Sequence, residues 1–205
     1  MTTNFIWDFD GTLVDSYEAI MEAMAVLYDH YQLPFEAESI RQTILTTSTG
    51  HLFDQLVADY GLDGQDLREF FTREQEKRDD RIVLLPHVRE ALQFTKDKGI
   101  RNFIYTHKGK TTQQVLDNLG IASDFVEVVT AANGFERKPH PAAINYLLDK
   151  YGLDKASTYY IGDRLIDVQV AKQAGIRSIN LNLPTDDVNQ KIESLADLAN
   201  LFQNS

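Results

Sequence analysis

The chain has 205 residues, no cysteine, and 31 acidic against 20 basic residues, which gives a net charge of −11. Such an acidic chain repels nucleic-acid phosphates and anionic lipid headgroups, which argues against a general role on either surface. Without cysteine, disulfides and thiolate chemistry are excluded, so catalytic groups must be oxygen or nitrogen. No apolar run approaches the ~18 residues of a membrane span, and the start lacks a signal-peptide pattern. We expect a folded, cytoplasmic protein, monomeric by default.

The first predicted element is a short buried strand, and a long helical segment follows it. The strand is the apolar run "NFIW", and the turn at Gly11 closes it. From Ser16 to Arg81 the apolar residues recur at helical spacing. Helices are expected along the stripe Ile20, Met21, Met24, Leu27 and Tyr28, and at about 39–45, 52–60 and 67–78. This region therefore predicts an all-helical insertion directly after the first strand.

Strands and helices alternate in the rest of the chain. The predicted order is a helix closed by Gly99, strand "RNFIYT", a helix at 111–120, strand "FVEVVTA", a helix at 141–151, strand "TYYIGD", a helix at 167–174, strand "RSINL" and a helix at 188–202. Such alternation is typical of right-handed crossovers in a parallel sheet. We predict an α/β fold: a doubly wound, Rossmann-like core of residues 1–15 and 82–205, with a helical domain of residues 16–81 inserted.

Polar residues follow the predicted strands where each strand ends. In a doubly wound sheet, ligands bind at the carboxyl ends of the strands. The residues expected at that edge are Asp8, Asp10, Thr106, Lys138, Asp163 and Asp167. Each alone has an ordinary explanation as a turn residue, a helix cap or a surface charge. Together they bring acids, a hydroxyl and an amine to one edge, which indicates a functional site.

The carboxylates of this set indicate a metal ion. Asp8 and Asp10 are two residues apart, a spacing that places both side chains on the same side of a strand. Two ionised carboxylates so close repel each other, so a cation or a shared proton must hold them. Asp163 and Asp167 add two acids about one helical turn apart. Magnesium is the natural candidate because it prefers hard oxygen ligands.

The remaining two members of the set suit a phosphate group. Lys138, beside so many acids, can neutralise phosphate and hold a carboxylate as a compact point charge. Thr106 can offer its hydroxyl, and the backbone N–H groups that follow it, to a phosphoryl oxygen. A phosphorylated ligand is therefore expected beside the metal.

The motif order "DFDGT", Thr106, "KP" and "GDRLID" resembles the four motifs of the haloacid dehalogenase-like phosphohydrolases. The resemblance covers the whole chain, because the helical insertion looks like the cap domain of that family. It implies that Asp8 is the nucleophile, which forms an aspartyl-phosphate. It also implies that Asp10 is the general acid and base, that Thr106 binds the phosphoryl oxygens, and that Lys138 neutralises them.

The same resemblance implies the cofactor and the remaining site residues. The implied cofactor is Mg²⁺, held by Asp8, Asp163 and the backbone carbonyl of Asp10. Asp167 would not contact the metal directly but would lie next to Lys138 and support it. Further substrate or phosphate contacts are expected from Gly11, Thr12 and His107 in the core and from Thr47 and Ser48 in the cap.

The partner implied is a small phosphorylated metabolite, of the phosphoglycolate or sugar phosphate type. The acid at Asp10 favours phosphate chemistry over carbon–halogen cleavage, because the dehalogenating members lack it. A phosphosugar mutase of the same family shares the acid pair, although the cap stretch "TTSTGH" has no arginine to hold a second phosphate. From other classes, a phosphorylated signalling receiver and a binding protein without catalysis remain alternatives.

Overall fold

The computed structural model describes residues 2–203, which form two compact units. One unit, here the core unit, joins the chain up to Asp15 with the chain from Val83 onward. The other, the helical unit, is Ser16–Ile82. Each unit is built from its own secondary structure.

The core unit contains a six-stranded sheet whose strands are all parallel. In chain order the strands of the structure are β1 (Asn4–Trp7), β2 (Val14–Asp15), β3 (Val83–Leu84), β4 (Arg101–Tyr105), β5 (Glu127–Val129), β6 (Thr158–Gly162), β7 (Arg177–Asn180) and β8 (Asn189–Lys191). The sheet order is β5-β4-β1-β6-β7-β8, so β1 lies in the middle between β4 and β6. The prediction of a parallel α/β sheet is therefore confirmed.

The helical unit forms a hydrophobic core of its own. Its helices are α1 (Tyr17–His30), α2 (Ala37–Thr46), α3 (Thr49–Tyr60) and α4 (Gly64–Glu76). Their apolar stripes face one another, and Met24, Leu27 and Leu67 at the centre of this cluster are completely buried. Within residues 2–203, no helix is both long enough and apolar enough to cross a membrane.

Within residues 2–203, five α-helices flank the core sheet. They are α5 (Val88–Asp97), α6 (Thr112–Leu119), α7 (Ala142–Tyr151), α8 (Leu165–Ala174) and α9 (Asp197–Leu201). Alternate strand residues such as Ile6 and Phe103 pack against α7 and α8. On the opposite face, the indole N–H of Trp7 donates to Asn102 Oδ1 at 3.0 Å, and Asn102 Nδ2 donates to Thr95 of α5 at 2.7 Å.

The predicted final helix at 188–202 is wrong. The structure has β8, parallel to β7, followed by the short helix α9. Aspartate side chains redirect the backbone here: Asp186 accepts the N–H groups of Val188 and Asn189, and Asp197 accepts those of Glu193 and Ser194. These local hydrogen bonds compete with helix formation, although the apolar spacing of the segment suits a helix.

A small antiparallel ribbon pairs the two core segments that flank the helical unit in sequence, and the sequence did not predict it. Val14 of β2 pairs with Leu84 of β3, and Asp15 pairs with Val83. The N–H of Leu85 extends the ribbon by donating to the carbonyl of Leu13 at 3.0 Å. Strands of two residues are too short to show a periodicity.

Candidate active site

Asp8 lies directly after the central strand β1, at the carboxyl edge of the sheet. Its backbone N–H donates to Ile161 of β6 at 2.8 Å, and its side chain is buried. Atom Oδ1 accepts the Phe9 N–H at 2.8 Å and lies 2.9 Å from Lys138 Nζ. Atom Oδ2 lies 3.4 Å from Nη2 of Arg164. The carboxylate is therefore fixed by two cations and a backbone donor.

The ammonium of Lys138 lies at the centre of the site, completely buried. It contacts Oδ1 of Asp8 and Oδ1 of Asp167, each at 2.9 Å. The rings of Tyr105 and Tyr160 face it, with Nζ 5.3 Å and 5.0 Å from their centroids. Aromatic faces attract cations, so two carboxylates and two rings together stabilise the charged lysine.

The charges of this cluster determine its protonation. Burial alone would raise the pKa of Asp8, but the Lys138 ammonium and the Arg164 guanidinium outweigh it and lower that pKa. Burial would likewise lower the pKa of Lys138, yet the charges of Asp167 and Asp8 raise it. Burial and the charge of Asp8 raise the pKa of Asp167. Asp8 is therefore a carboxylate and Lys138 an ammonium at neutral pH.

Asp167 holds the lysine from the first turn of α8. While Oδ1 contacts Lys138, Oδ2 accepts the N–H groups of Asp163 at 3.2 Å and Arg164 at 3.0 Å. A Cβ atom at Gly162 would approach the Asp167 side chain to 2.5 Å, so this strand end has room only for glycine. Both carboxylate oxygens of Asp167 are thus engaged by the protein itself.

A group of acidic oxygens in the site fits a metal ion. The carboxylates of Asp8, Asp163 and Asp167 are buried, and one oxygen of each lies within 4.8 Å of the others. Hard oxygen donors of this kind suit Mg²⁺. Asp167 accepts two backbone N–H groups in addition to its contact with Lys138, whereas Oδ2 of Asp8 is held more weakly, 3.4 Å from Arg164, so Asp8 and Asp163 are the best candidate ligands of the three. The carboxylate of Asp10 is outside this group, although the spacing of Asp8 and Asp10 suggested a cation or a shared proton between their carboxylates. The family resemblance assigned the backbone carbonyl of Asp10 to the metal, and that assignment stays a prediction.

The chain turns sharply after Asp8, and Asp10 lies in that turn. The carbonyl of Phe9 accepts the N–H groups of Leu13 at 3.0 Å and Val14 at 3.1 Å. Gly11 has a φ of +79°, a left-handed conformation that favours glycine. Asp10 is half-buried and forms a β-bridge with Val14.

The neighbouring Thr12 is completely buried, and its hydroxyl donates to Oδ1 of Asp163 at 3.4 Å. The amide Nδ2 of Asn182 donates to the backbone carbonyl of Asp163 at 2.8 Å. Thr12 thus contacts the side chain of Asp163, a candidate metal ligand, and Asn182 holds the backbone of the same residue. The roles of Thr12 and Gly11 in phosphate binding stay predictions.

Thr106 and His107 follow β4, the strand beside β1. Thr106 is buried, and its hydroxyl accepts the Lys108 N–H at 3.0 Å, which leaves the hydroxyl proton to donate to a ligand. His107 instead uses Nε2 to accept the backbone N–H of Lys138 at 2.9 Å. The two adjacent residues thus serve different contacts.

The two predicted cap contacts belong to the helical unit and lie between α2 and α3. The hydroxyl of Thr47 donates to the carbonyl of Thr43 at 2.6 Å, and Ser48 Oγ accepts the His51 N–H at 3.0 Å as the N-cap of α3. Both hydroxyls have local roles at helix ends. Their part in substrate binding stays a prediction.

Sequence reasoning missed Arg164 and the two tyrosines. Arg164 stands between Asp163 and Asp167 in "GDRLID", so its position beside two candidate site residues was a signal that could have singled it out. Tyr105 and Tyr160 read as ordinary strand residues, because only the sheet brings their rings to Lys138.

The fold and the site together define the class of protein: an α/β enzyme with carboxylates and a buried lysine at the carboxyl edge of a parallel sheet. The family model described as "Haloacid dehalogenase-like hydrolase" matches residues 5–181, and the chain therefore belongs to that family. The prediction of this family, and of a hydrolytic enzyme, is confirmed.

Individual relatives agree with this assignment. A phosphoglycolate phosphatase of Pseudomonas syringae pv. syringae (strain B728a) is 27% identical over 186 residues, covering 86% of this chain and 68% of the relative. Pyrophosphatase PpaX of Bacillus pumilus (strain SAFR-032) is 27% identical over 175 residues, covering 84% and 80%. A haloacid dehalogenase-like family hydrolase of Streptococcus pneumoniae has a TM-score of 0.83 at 19% identity, covering 98% and 99% of the two chains, which shows the shared fold.

Proposed function

We propose that the protein is a Mg²⁺-dependent phosphatase that hydrolyses a small phosphomonoester through an aspartyl-phosphate on Asp8. The observation that carries this proposal is the buried cluster in which the Lys138 ammonium bridges Asp8 and Asp167, each at 2.9 Å. It keeps Asp8 ionised and therefore nucleophilic, and it places a fixed positive charge where phosphoryl oxygens would bind. Phosphoryl transfer requires mainly such positioning and charge neutralisation.

In the first step, a carboxylate oxygen of Asp8 attacks phosphorus while the bond from phosphorus to the ester oxygen breaks. Asp10, starting protonated, gives its proton to the departing alkoxide, so the alcohol leaves neutral. Lys138 and the Thr106 hydroxyl hold the phosphoryl oxygens during the transfer. The product of this step is phosphorylated Asp8 and a free alcohol.

In the second step, Asp10, now ionised, removes a proton from water, and the hydroxide formed attacks phosphorus. The bond between Asp8 and phosphorus breaks, inorganic phosphate leaves, and both aspartates return to their starting states. Splitting one displacement into two allows the same pair of residues to act twice.

The residues of this site suit a divalent cation. Asp8, Asp163 and the backbone carbonyl of Asp10 would hold Mg²⁺, since Asp167 is committed to Lys138 and to the start of α8. When bound, Mg²⁺ supplies additional positive charge against the transferring phosphoryl group.

The substrate class we propose is a small phosphomonoester of the phosphoglycolate or sugar phosphate type. The Pseudomonas relative carries a phosphoglycolate phosphatase name and supports this choice. The Bacillus relative is named a pyrophosphatase, so diphosphate belongs in any substrate test. A panel of phosphoglycolate, sugar phosphates, nucleotides and pyrophosphate, with phosphate release measured in the presence of Mg²⁺, identifies the substrate and detects a mutase by its isomeric product.

The decisive variant is Asp8→Asn, which removes the nucleophile and preserves the side-chain shape. We expect phosphate release to fall ~10³-fold or more. Wild-type protein quenched with acid during turnover of a substrate labelled in its phosphoryl group should carry the label on Asp8, and Asp8→Asn should carry none. The matched control is Asp187→Asn, an exposed aspartate before β8, which should retain full activity. Normal turnover by Asp8→Asn, in preparations free of other phosphatases, would refute the proposal.

A further inference from the structure

His107 is directed toward the loop that carries Lys138, and its hydrogen-bond partner there is the backbone of that loop. Its Nε2 accepts the N–H of Lys138 at 2.9 Å. The imidazole is half-buried and packs edge-on against the Tyr105 ring, with centroids 5.9 Å apart. Sequence reasoning grouped His107 with the phosphate ligands, whereas its Nε2 is already occupied by this bond.

The imidazole is in the right protonation state for this contact. Burial, together with the charges of Lys138 and Arg137, lowers the pKa of His107 to about 2. The ring is therefore neutral at physiological pH, and because Nε2 accepts a hydrogen bond, the proton lies on Nδ1.

A second contact holds the same loop from the end of β4. The hydroxyl of Tyr105 donates to the carbonyl of Glu136 at 3.2 Å. Tyr105 and His107 are two residues apart, as expected for side chains that share one side of an extended chain, with Thr106 between them. One end of one strand thus supplies a candidate phosphate ligand and two anchors for the segment that carries Lys138.

We propose that His107 is a positioning residue for Lys138: its Nε2 fixes the backbone from which the ammonium reaches Asp8 and Asp167. The proposal rests on the proposed function, in which Lys138 neutralises the phosphoryl oxygens. A lysine side chain has four rotatable bonds, so a fixed backbone is needed to hold its ammonium at 2.9 Å from two carboxylates. A displacement near 1 Å in such a site costs up to about 100-fold in rate.

The test compares two variants that differ in one property. His107→Leu removes the acceptor and keeps an apolar side chain of similar bulk, whereas His107→Gln can place an amide oxygen near the position of Nε2. We expect kcat to fall about 10- to 100-fold in His107→Leu, with KM changing much less, and to return to within about threefold of wild type in His107→Gln. Full activity of His107→Leu, or equal loss in both variants, would overturn the proposal.

A measurement without turnover separates this proposal from the proposed function. Hydrogen exchange of the Lys138 amide, followed by ¹H–¹⁵N NMR, should be slow in the wild type and in His107→Gln and at least about tenfold faster in His107→Leu. Exchange in the wild type at the rate of an exposed amide would overturn the proposal without any variant. Slow exchange in an enzyme that hydrolyses no phosphate ester would instead reject the phosphatase function and leave the anchoring contact established.

Discussion

Replacing Lys138 with methionine should destabilise the core unit strongly, and in a pH-dependent way. The ammonium is fully buried and is shared by Asp8 and Asp167 at 2.9 Å each. At an effective dielectric constant of about 20, each contact is worth ~6 kcal/mol before desolvation is subtracted. Removing one partner of a buried ion pair typically costs about 3–5 kcal/mol net, and we expect a loss of that size at pH 7.

The direction of the pH effect follows from the carboxylates left behind. In the wild type the pKa of Asp8 is lowered, so its contribution is present above the ordinary aspartate pKa and is lost only as the pH falls through the lowered value. In Lys138→Met, Asp8 and Asp167 lie together without the ammonium, so the pKa of Asp167, which is already raised in the wild type, rises further, and the pKa of Asp8 rises as well. The variant therefore loses stability as the pH rises through these raised pKa values, and its deficit relative to wild type should shrink between pH 7 and pH 5.

The assay is urea unfolding in EDTA at pH 5, 6, 7 and 8, followed by tryptophan fluorescence. The chain has one tryptophan, Trp7, buried in β1, so the signal reports on the core unit. The control Lys191→Met removes a partly exposed ion pair with Glu193 and should cost less than about 1 kcal/mol at every pH. A deficit for Lys138→Met below about 1 kcal/mol at pH 7, or one that does not change with pH, would refute the reasoning.

Two further substitutions test the surroundings of the cluster. Gly162→Ala would place a methyl group 2.5 Å from the Asp167 side chain and should lower the free energy of unfolding by about 1–3 kcal/mol, seen as a fall of several degrees in Tm. The control Gly109→Ala, with open space around the added methyl group, should leave Tm unchanged. Equal Tm values for the two variants would contradict this prediction. Arg164→Gln removes a cation 3.4 Å from Asp8 that would compete with a metal ion for this carboxylate. We expect Mg²⁺ binding, measured by calorimetry, to become about tenfold tighter. Unchanged or weaker binding would exclude competition between Arg164 and the metal.

The parallel sheet and its edge could be predicted because both depend on local patterns. Runs such as "NFIW" and "TYYIGD" show strand propensity within four to six residues. Once the strands are parallel, the residues that follow them must meet at one edge. The contact of Lys138 with Asp8 and Asp167 therefore matches what the sequence indicates, although these residues are 130 and 29 positions apart from the lysine.

Other features depend on contacts that no local pattern shows. The apolar spacing at 188–202 suits a helix, but the Asp186 side chain captures backbone N–H groups and β8 forms beside β7 instead. Arg164 reaches Asp8 only because β6 and β1 are neighbours in the sheet. The role of His107 likewise depends on which of its ring atoms meets the backbone of Lys138, a matter of tertiary geometry.

The ribbon of β2 and β3 has a consequence for how this gene could change. Asp15 and Val83 are paired across the ribbon, so the chain leaves and re-enters the core unit at adjacent points, ~5 Å apart as in any antiparallel pair. A turn of two residues is enough to close such a gap. The core unit can therefore accommodate inserts of different lengths at this position with the register of its six strands unchanged.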